Sequence, residues 1–507
     1  MKKILSLIFC FICLTQICSA QDISGSFDEI MLSKLCPRPK FAEFKPEYFI
    51  LQKGGVIKIA TPKLKEEQID FFESLPKQYW RFDCKLVFTE LTDAQKLGNE
   101  GYSIDIDNNG IVIEANGFSA VHHAFKTLRQ MSEKQRDGEG EVFAFCKIKD
   151  APTIAFRAIH LCVFPETSLN DLEKYVRLAS FYKFNYVIIQ PIGVFPFKSH
   201  PEFCFNDKKL NRKKLKKLIK LCKQLGLTPF PEFSILGHAS QARLFTGKHV
   251  VLNSNPEYAD IFEPNGWSYC MSSARCEKIL KDLISELYEF YENPPFFHFG
   301  CDEAFDKATC YKCRHQNAGE LFAKHIKKFT DYLLEKHNAR PIIWHDMLLD
   351  KTDSRWKNQV ATGSPDFAKV IEVLDRRVVI ADWQYSYQIK NQEDFPTSTY
   401  FKSKGFDVVV SPWHNKIGAY ALARNANKNK LLGYLGTTWH YTYRNHCFDN
   451  MFLHGANAAW NGGENKINQS LTIVKNYHVR LIENDANIED YKSLGTAREQ
   501  IQVNSIE

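Results

Sequence analysis

Low-complexity tracts, internal repeats and a glycine-rich phosphate loop are all missing from this chain of 507 residues. Their absence excludes disordered scaffolds, repeat solenoids and P-loop nucleotide chemistry. Concentrated positive charge is missing too. The formal net charge is +7, and Lys2 and Lys3 supply two of those charges, so the remainder is too dilute to predict nucleic-acid binding. The one basic stretch, NRKKLKKLIKLCKQLG (211–226), places Leu215, Leu218, Ile219 and Leu221 at helical spacing. It reads as an amphipathic helix with a solvated lysine face. Beyond residue 20 no apolar run is long enough to span a membrane. The opening MKKILSLIFCFICLTQICSA has a basic start, an apolar run and small residues before Gln21. It is expected to be a secretory signal peptide covering 1–20, which implies a secreted or periplasmic protein.

Hydrophobic residues make up 44% of the chain and aromatics 13%, as in a globular protein with a sizeable core. The length predicts two domains. Of the 15 cysteines, three leave with the leader, and an even number in an exported chain permits disulfides. Cys270 with Cys276, and Cys310 with Cys313, are near enough in sequence to pair. Another option is a structural zinc at Cys301, Cys310, Cys313 and His315, ligand types that zinc prefers.

From 21 to 150 the pattern is that of a small α/β unit. GYSIDID (101–107) alternates apolar and polar residues, Asn109-Gly110 makes a tight turn, and IVIEA (111–115) returns as the hairpin partner. Val121, Phe125 and Leu128 then share one helical face. Asp150-Ala151-Pro152 closes the unit. From 151 to 485 buried strand candidates alternate with helices, leaving 486–507 as a tail. The strands are RAIHLCV (157–163), YVIIQ (186–190), TPFPEFS (228–234), FFHFG (296–300), PIIWHD (341–346), VVIADWQY (378–385), FDVVVS (406–411) and LLGYLGTTW (431–439). Near-continuous apolar runs suit parallel strands buried on both faces. Eight βα units predict a TIM (β/α)8 barrel preceded by a small α/β domain.

Functional residues in such a barrel sit at the carboxyl ends of the strands. Those ends carry Asp302 and Glu303, Trp344 and Asp346, Trp383 and Tyr385, Trp413, and Trp439, with His238 after the third strand and Arg157 early in the first. Aromatic faces around carboxylates and an arginine suit a sugar ring, whose C–H faces are apolar and whose hydroxyls need directional partners. Each of these residues also has a plain structural role open to it, and their gathering at one rim is what favours a site.

The stretch HFGCDEAF resembles the H-x-G-G-D-E signature of glycoside hydrolase family 20, the β-N-acetylhexosaminidases, and its cysteine is similar to that of the hexosaminidase D branch. DAPTIAFRAIHL resembles the family's D-x-P-x-x-x-x-R-G entry to the barrel, PEFSILGHAS its P-E-x-x-x-x-G-H segment, PIIWHDML its W-x-D/E segment, and LLGYLGTTW its last strand. The resemblance implies Asp302 and Glu303 as catalytic residues of a substrate-assisted retaining hydrolysis. Asp302 would orient the acetamido N–H, and Glu303 would protonate the leaving oxygen. Arg157, His238 and Asp346 would bind substrate, Trp344, Trp383 and Trp439 would wall the acetamido pocket, and Tyr385 would donate to the acetamido oxygen, with Tyr420 and Tyr441 as alternatives. A glycan ending in N-acetylhexosamine is the implied partner; no cofactor or metal is implied in catalysis. Three positions depart from the family pattern: Gly193 stands where the family has an Asp paired with the motif histidine, Cys162 replaces an acid in the first strand, and the usual hydroxyl-binding Glu after Trp439 is replaced, with Tyr441 nearby. These departures motivate the rival expectation of a catalytically weakened barrel that binds amino sugars.

Overall fold

The computed structural model describes residues 26–485 apart from 92, 137, 245, 386–394, 440–447 and 465–470. The expected leader, the tail and Tyr441 lie outside the described residues.

The first layer is a mixed sheet of β1 (Phe41–Leu51), β2 (Val56–Thr61), β3 (Lys85–Glu90), β4 (Tyr102–Asp107), β5 (Gly110–Ala115), β6 (Glu133–Lys134) and β7 (Glu141–Asp150), in the order β1-β7-β4-β5-β2-β3 with β6 beside β7. The expected hairpin is β4 and β5, paired antiparallel from Tyr102–Ala115 to Asp107–Gly110. The helix Phe118–Met131 lies on this sheet and buries Val121, Phe125 and Leu128 completely. Together with Ile57, Ile59, Phe72 and Ile113 these residues form a core separate from that of the barrel.

The second sheet contains the eight expected strands, all parallel: β8 (Phe156–Val163), β9 (Tyr186–Pro191), β10 (Thr228–Pro231), β11 (Phe296–His298), β12 (Arg340–Trp344), β13 (Val379–Trp383), β14 (Asp407–Ser411) and β15 (Gly433–Thr437). β15 pairs with β8. Between β10 and β11 the ring is completed by a parallel bridge from Glu232 to His298 and by the bond from Phe233 N to His298 O. Alternation along each strand sorts two cores. Ile159, Leu161 and Val163 face the helices, whereas Phe156, Ala158, Ile188, Phe230, Ile342 and Leu435 fill the barrel interior.

Local chemistry explains the helix ends. Ser168 caps the helix Leu169–Phe181 by accepting from Asp171 N at 3.0 Å. The lysine-rich helix Arg212–Gln224 buries Leu215, Leu218 and Ile219 and ends before Gly226, whose φ of +74° is the left-handed conformation a chain reversal needs.

Arg157 requires a correction. It sits at the amino end of β8 on the outward-facing register, fully buried, at the opposite end of the strand from the expected site. Its guanidinium pairs with Glu100 of the small domain at 2.5 Å and donates to the carbonyls of Ile154 and Lys183. The indole of Trp460 lies 5.0 Å beneath it. Trp460 in turn donates to Asp150 at 2.8 Å, which also accepts from Lys183. Arg157 therefore joins the two domains and does not face a sugar site.

Candidate functional site

The loops at the carboxyl ends of the barrel strands enclose a cavity of about 520 Å³. Its walls are Trp267, Trp383, Trp413 and Trp439 with Tyr385, and its polar groups include Asp302, Glu303, His238 and Gln190.

β11 ends at His298, and the chain then turns through left-handed backbone at Gly300 (φ +62°), Cys301 (φ 74°) and Glu303 (φ 49°). Left-handed backbone at a non-glycine residue costs about 1–3 kcal/mol and persists only where surrounding contacts enforce it. Three contacts do so here. Glu303 N donates to Asp346 Oδ2 at 3.1 Å, Trp267 Nε1 donates to Glu303 O at 2.7 Å, and Cys301 N reaches Ser234 Oγ at 3.5 Å. Gly237 allows the close approach: a Cβ there would lie 2.1 Å from the carbonyl oxygen of Asp302. The glycine of the PEFSILGH segment and the acidic turn after β11 thus fit as one unit.

His238 stands between the two acids. Its Nε2 is 3.3 Å from Asp302 Oδ2 and 3.4 Å from Glu303 Oε2. Burial opposes its charge, but the two carboxylates outweigh burial and push its pKa up to about 10. The same contact acts on Asp302: burial raises its carboxyl, and the charge and hydrogen bond of His238 reverse this, holding it below the usual value. His238 was expected to lack its orienting partner because Gly193 replaces an acid. Instead its partners are the two site carboxylates. Gly193 has φ +62°, lies under the ring of Phe205, and donates its N–H to Gln241 Oε1 at 2.7 Å.

Trp344 and Asp346 do not line the cavity, contrary to expectation; both are fully buried beneath it. Trp344 lies 5.4 Å from Trp439 and donates its indole N–H to Glu232 at 3.0 Å. Asp346 accepts from Glu303 N, Thr362 Oγ1 and Trp383 Nε1, the last at 3.2 Å. Burial first, and the nearby charge of Asp302 second, raise its pKa to about 6. Both residues position groups that do face the cavity. Tyr385 is in the cavity wall, 4.9 Å from Trp383, and its hydroxyl accepts from Trp439 Nε1 at 2.8 Å. That leaves its own hydrogen for a ligand. Tyr420 lies on the helix Lys416–Lys428, bonded to Asn457, and does not line the cavity.

Sequence reasoning passed over Glu232 and Trp267. Glu232 lies at the end of β10, 1% exposed, with His160 Nε2 3.2 Å away. The Pro-Glu of its segment is part of the family resemblance. Nothing in the sequence marks Trp267, which reaches Glu303 from a distant loop. Cys162, the replacement in β8, is buried and bonds to Gln190 Oε1 at 2.8 Å.

None of the eleven described cysteines is in a disulfide, so neither expected local pair is formed. The expected zinc set is also corrected. Cys301 Sγ bonds to Phe299 O and His315 is exposed, whereas Cys310 and Cys313 gather with Cys270 and Glu263.

Comparison with known proteins matches residues 205–461 to the model for the glycosyl hydrolase family 20 catalytic domain and residues 32–151 to that for the family's domain 2. A beta-hexosaminidase of Porphyromonas gingivalis is 22% identical over 302 residues, covering 52% of this chain and 38% of that protein. The beta-hexosaminidase subunit beta of Entamoeba histolytica is 23% identical over 305 residues, covering 56% and 52%. The chain therefore spans about half or less of the length of the curated relatives it matches. Among solved structures, a chitobiase of Flavobacterium johnsoniae superposes with a TM-score of 0.68 at 16% identity, covering 91% of this chain and 75% of that one. An exo beta-N-acetylglucosaminidase of Vibrio harveyi superposes at 0.66 and 15% identity, covering 90% and 78%. These two likenesses establish the fold.

Proposed function

The chain belongs to glycosyl hydrolase family 20, and from that premise we propose that it is an exported, exo-acting β-N-acetylhexosaminidase working by substrate-assisted retention. The observation that carries the reading is the adjacent pair Asp302 and Glu303, held by strained backbone in a cavity walled by tryptophans. A terminal N-acetylhexosamine has an apolar ring face for those indoles and an acetamido group for Tyr385 and Asp302. Its acetamido oxygen attacks the anomeric carbon as the glycosidic C–O bond breaks, and Glu303 gives its proton to the leaving oxygen. Asp302, kept ionised by His238, accepts from the acetamido N–H and offsets the charge of the oxazolinium. Water then adds at the anomeric carbon, returning its proton to Glu303 as the oxazolinium ring opens. Cys301 in the signature supports placement near the hexosaminidase D branch.

A second reading has one observation in its favour: His238 engages Glu303 as well as Asp302, which suits a barrel that holds amino sugars without hydrolysing them. Turnover of 4-nitrophenyl N-acetyl-β-glucosaminide and its galactosaminide epimer, beside Glu303→Gln, separates the two. Hydrolysis that disappears in the variant supports the enzyme; saturable amino-sugar binding without turnover supports the binder.

A further inference from the structure

Outside the cavity, one cluster has the composition and geometry of a metal centre. Cys270, Cys310, Cys313 and Glu263 are all buried, and one ligand atom from each lies within 4.8 Å of all the others. Cys270 Sγ is 3.4 Å from Cys310 Sγ and 3.7 Å from Cys313 Sγ. Zinc–thiolate bonds of about 2.3 Å in a tetrahedron put neighbouring sulfurs about 3.8 Å apart, so the thiols already stand close to that spacing. The carboxylate supplies an independent sign. Glu263 Oε2 is satisfied by the amides of Thr309 and Cys310, each at 2.7 Å, while Oε1 is buried with no hydrogen-bond partner. A carboxylate oxygen orphaned beside three thiols would be costly unless a cation occupied the space between them.

We propose that Glu263, Cys270, Cys310 and Cys313 bind a structural zinc ion through three thiolates and Glu263 Oε1. The donor set argues for that metal: soft thiolates with one carboxylate in a closed tetrahedron suit zinc, and all-oxygen sites suit magnesium or calcium. Binding releases the three thiol protons, and Ser272 Oγ, 3.2 Å from Cys313 Sγ, is placed to donate to the resulting thiolate. A disulfide between any two of the cysteines would leave one thiol and the orphan oxygen unsatisfied.

The position gives the ion a task. Glu263 and Cys270 lie on the loop that carries Trp267, held together by the bond from Cys270 N to Ile261 O. Cys310 and Cys313 lie on the loop that carries Asp302 and Glu303. Zinc would fasten the same two loops that the bond from Trp267 Nε1 to Glu303 O already joins.

The test is metal analysis of the full chain expressed with added zinc. One zinc per chain is expected, lost from the Cys310→Ser/Cys313→Ser double variant and retained by Cys276→Ser, a buried neighbour outside the cluster. Because the double variant could misfold, the native chain is also exchanged with cobalt, where thiolate-to-cobalt charge-transfer absorption at one equivalent is expected. A chain that takes up neither metal, or one whose mass and peptide map show a disulfide within the cluster, overturns the proposal. These readouts do not involve hydrolysis, so their outcome is independent of the proposed activity.

Discussion

Replacing Gly237 by alanine tests how tightly the PEFSILGH segment and the acidic turn after β11 depend on each other. A Cβ at 237 would stand 2.1 Å from Asp302 O, 3.2 Å from Ala304 N and 3.3 Å from Asp302 C. These are backbone atoms, so no side chain can swing aside. An ordinary contact of 3.4 Å requires the 2.1 Å approach to open by 1.3 Å, and a displacement of about 1 Å can already lower turnover about 100-fold when it misplaces a reacting group. Gly237 does not have positive φ, so alanine brings no backbone strain, and the overpacking cost should be about 1–3 kcal/mol. Kinetics on 4-nitrophenyl N-acetyl-β-glucosaminide, with a thermal melt of the same sample, provide the assay. The expected result is a large fall in kcat with a cooperative, slightly lowered melt. An unchanged kcat in a folded variant would refute the fit described between these two segments.

Other predictions follow from the same contacts. Arg157→Ala should destabilise by about 3–5 kcal/mol, as breaking a buried pair does, while kcat and KM of the folded fraction stay near the parent values; a selective rise in KM would restore the sugar-binding role first expected. Asp346→Ala leaves Glu303 N and Trp383 Nε1 without their acceptor and should lower kcat about 10- to 100-fold, measured at saturating substrate. Gly193→Asp should fail to raise activity and should lower the melting temperature, since φ is +62° and a Cβ would meet the Phe205 ring at 2.5 Å. His238 has a pKa raised in the folded state to about 10, so its contribution to stability is complete below about pH 6.5 and is lost as pH rises through about 10. About a third of the side chain is exposed, and screening trims the effect. The difference in urea midpoint between the parent and His238→Gln should therefore shrink from pH 7 to pH 10.5.

The barrel was legible because parallel strands buried on both faces are unbroken apolar runs, so all eight could be found from composition and order. Asp302 and Glu303 were legible because they adjoin one such run. What escaped was orientation and distance. Being near the start of β8 says nothing of which face Arg157 presents, and strand alternation turned it outward to Glu100. Trp344 and Asp346 were placed at the correct strand ends but one layer too high, since a strand's last inward residues fill the barrel before its loop reaches the cavity. Trp267 and the gathering of the free Cys270, Cys310 and Cys313 depend on contacts between loops some forty residues apart, which no local spacing reveals.

The most direct test of the central claim compares hydrolysis of 4-nitrophenyl N-acetyl-β-glucosaminide with that of the matching β-glucoside, which has a hydroxyl in place of the acetamido group. If the substrate's own amide is the nucleophile, the first is cleaved and the second is essentially inert. Comparable rates on both would mean that a protein group performs the attack, and the roles given to Asp302 and Tyr385 would be wrong.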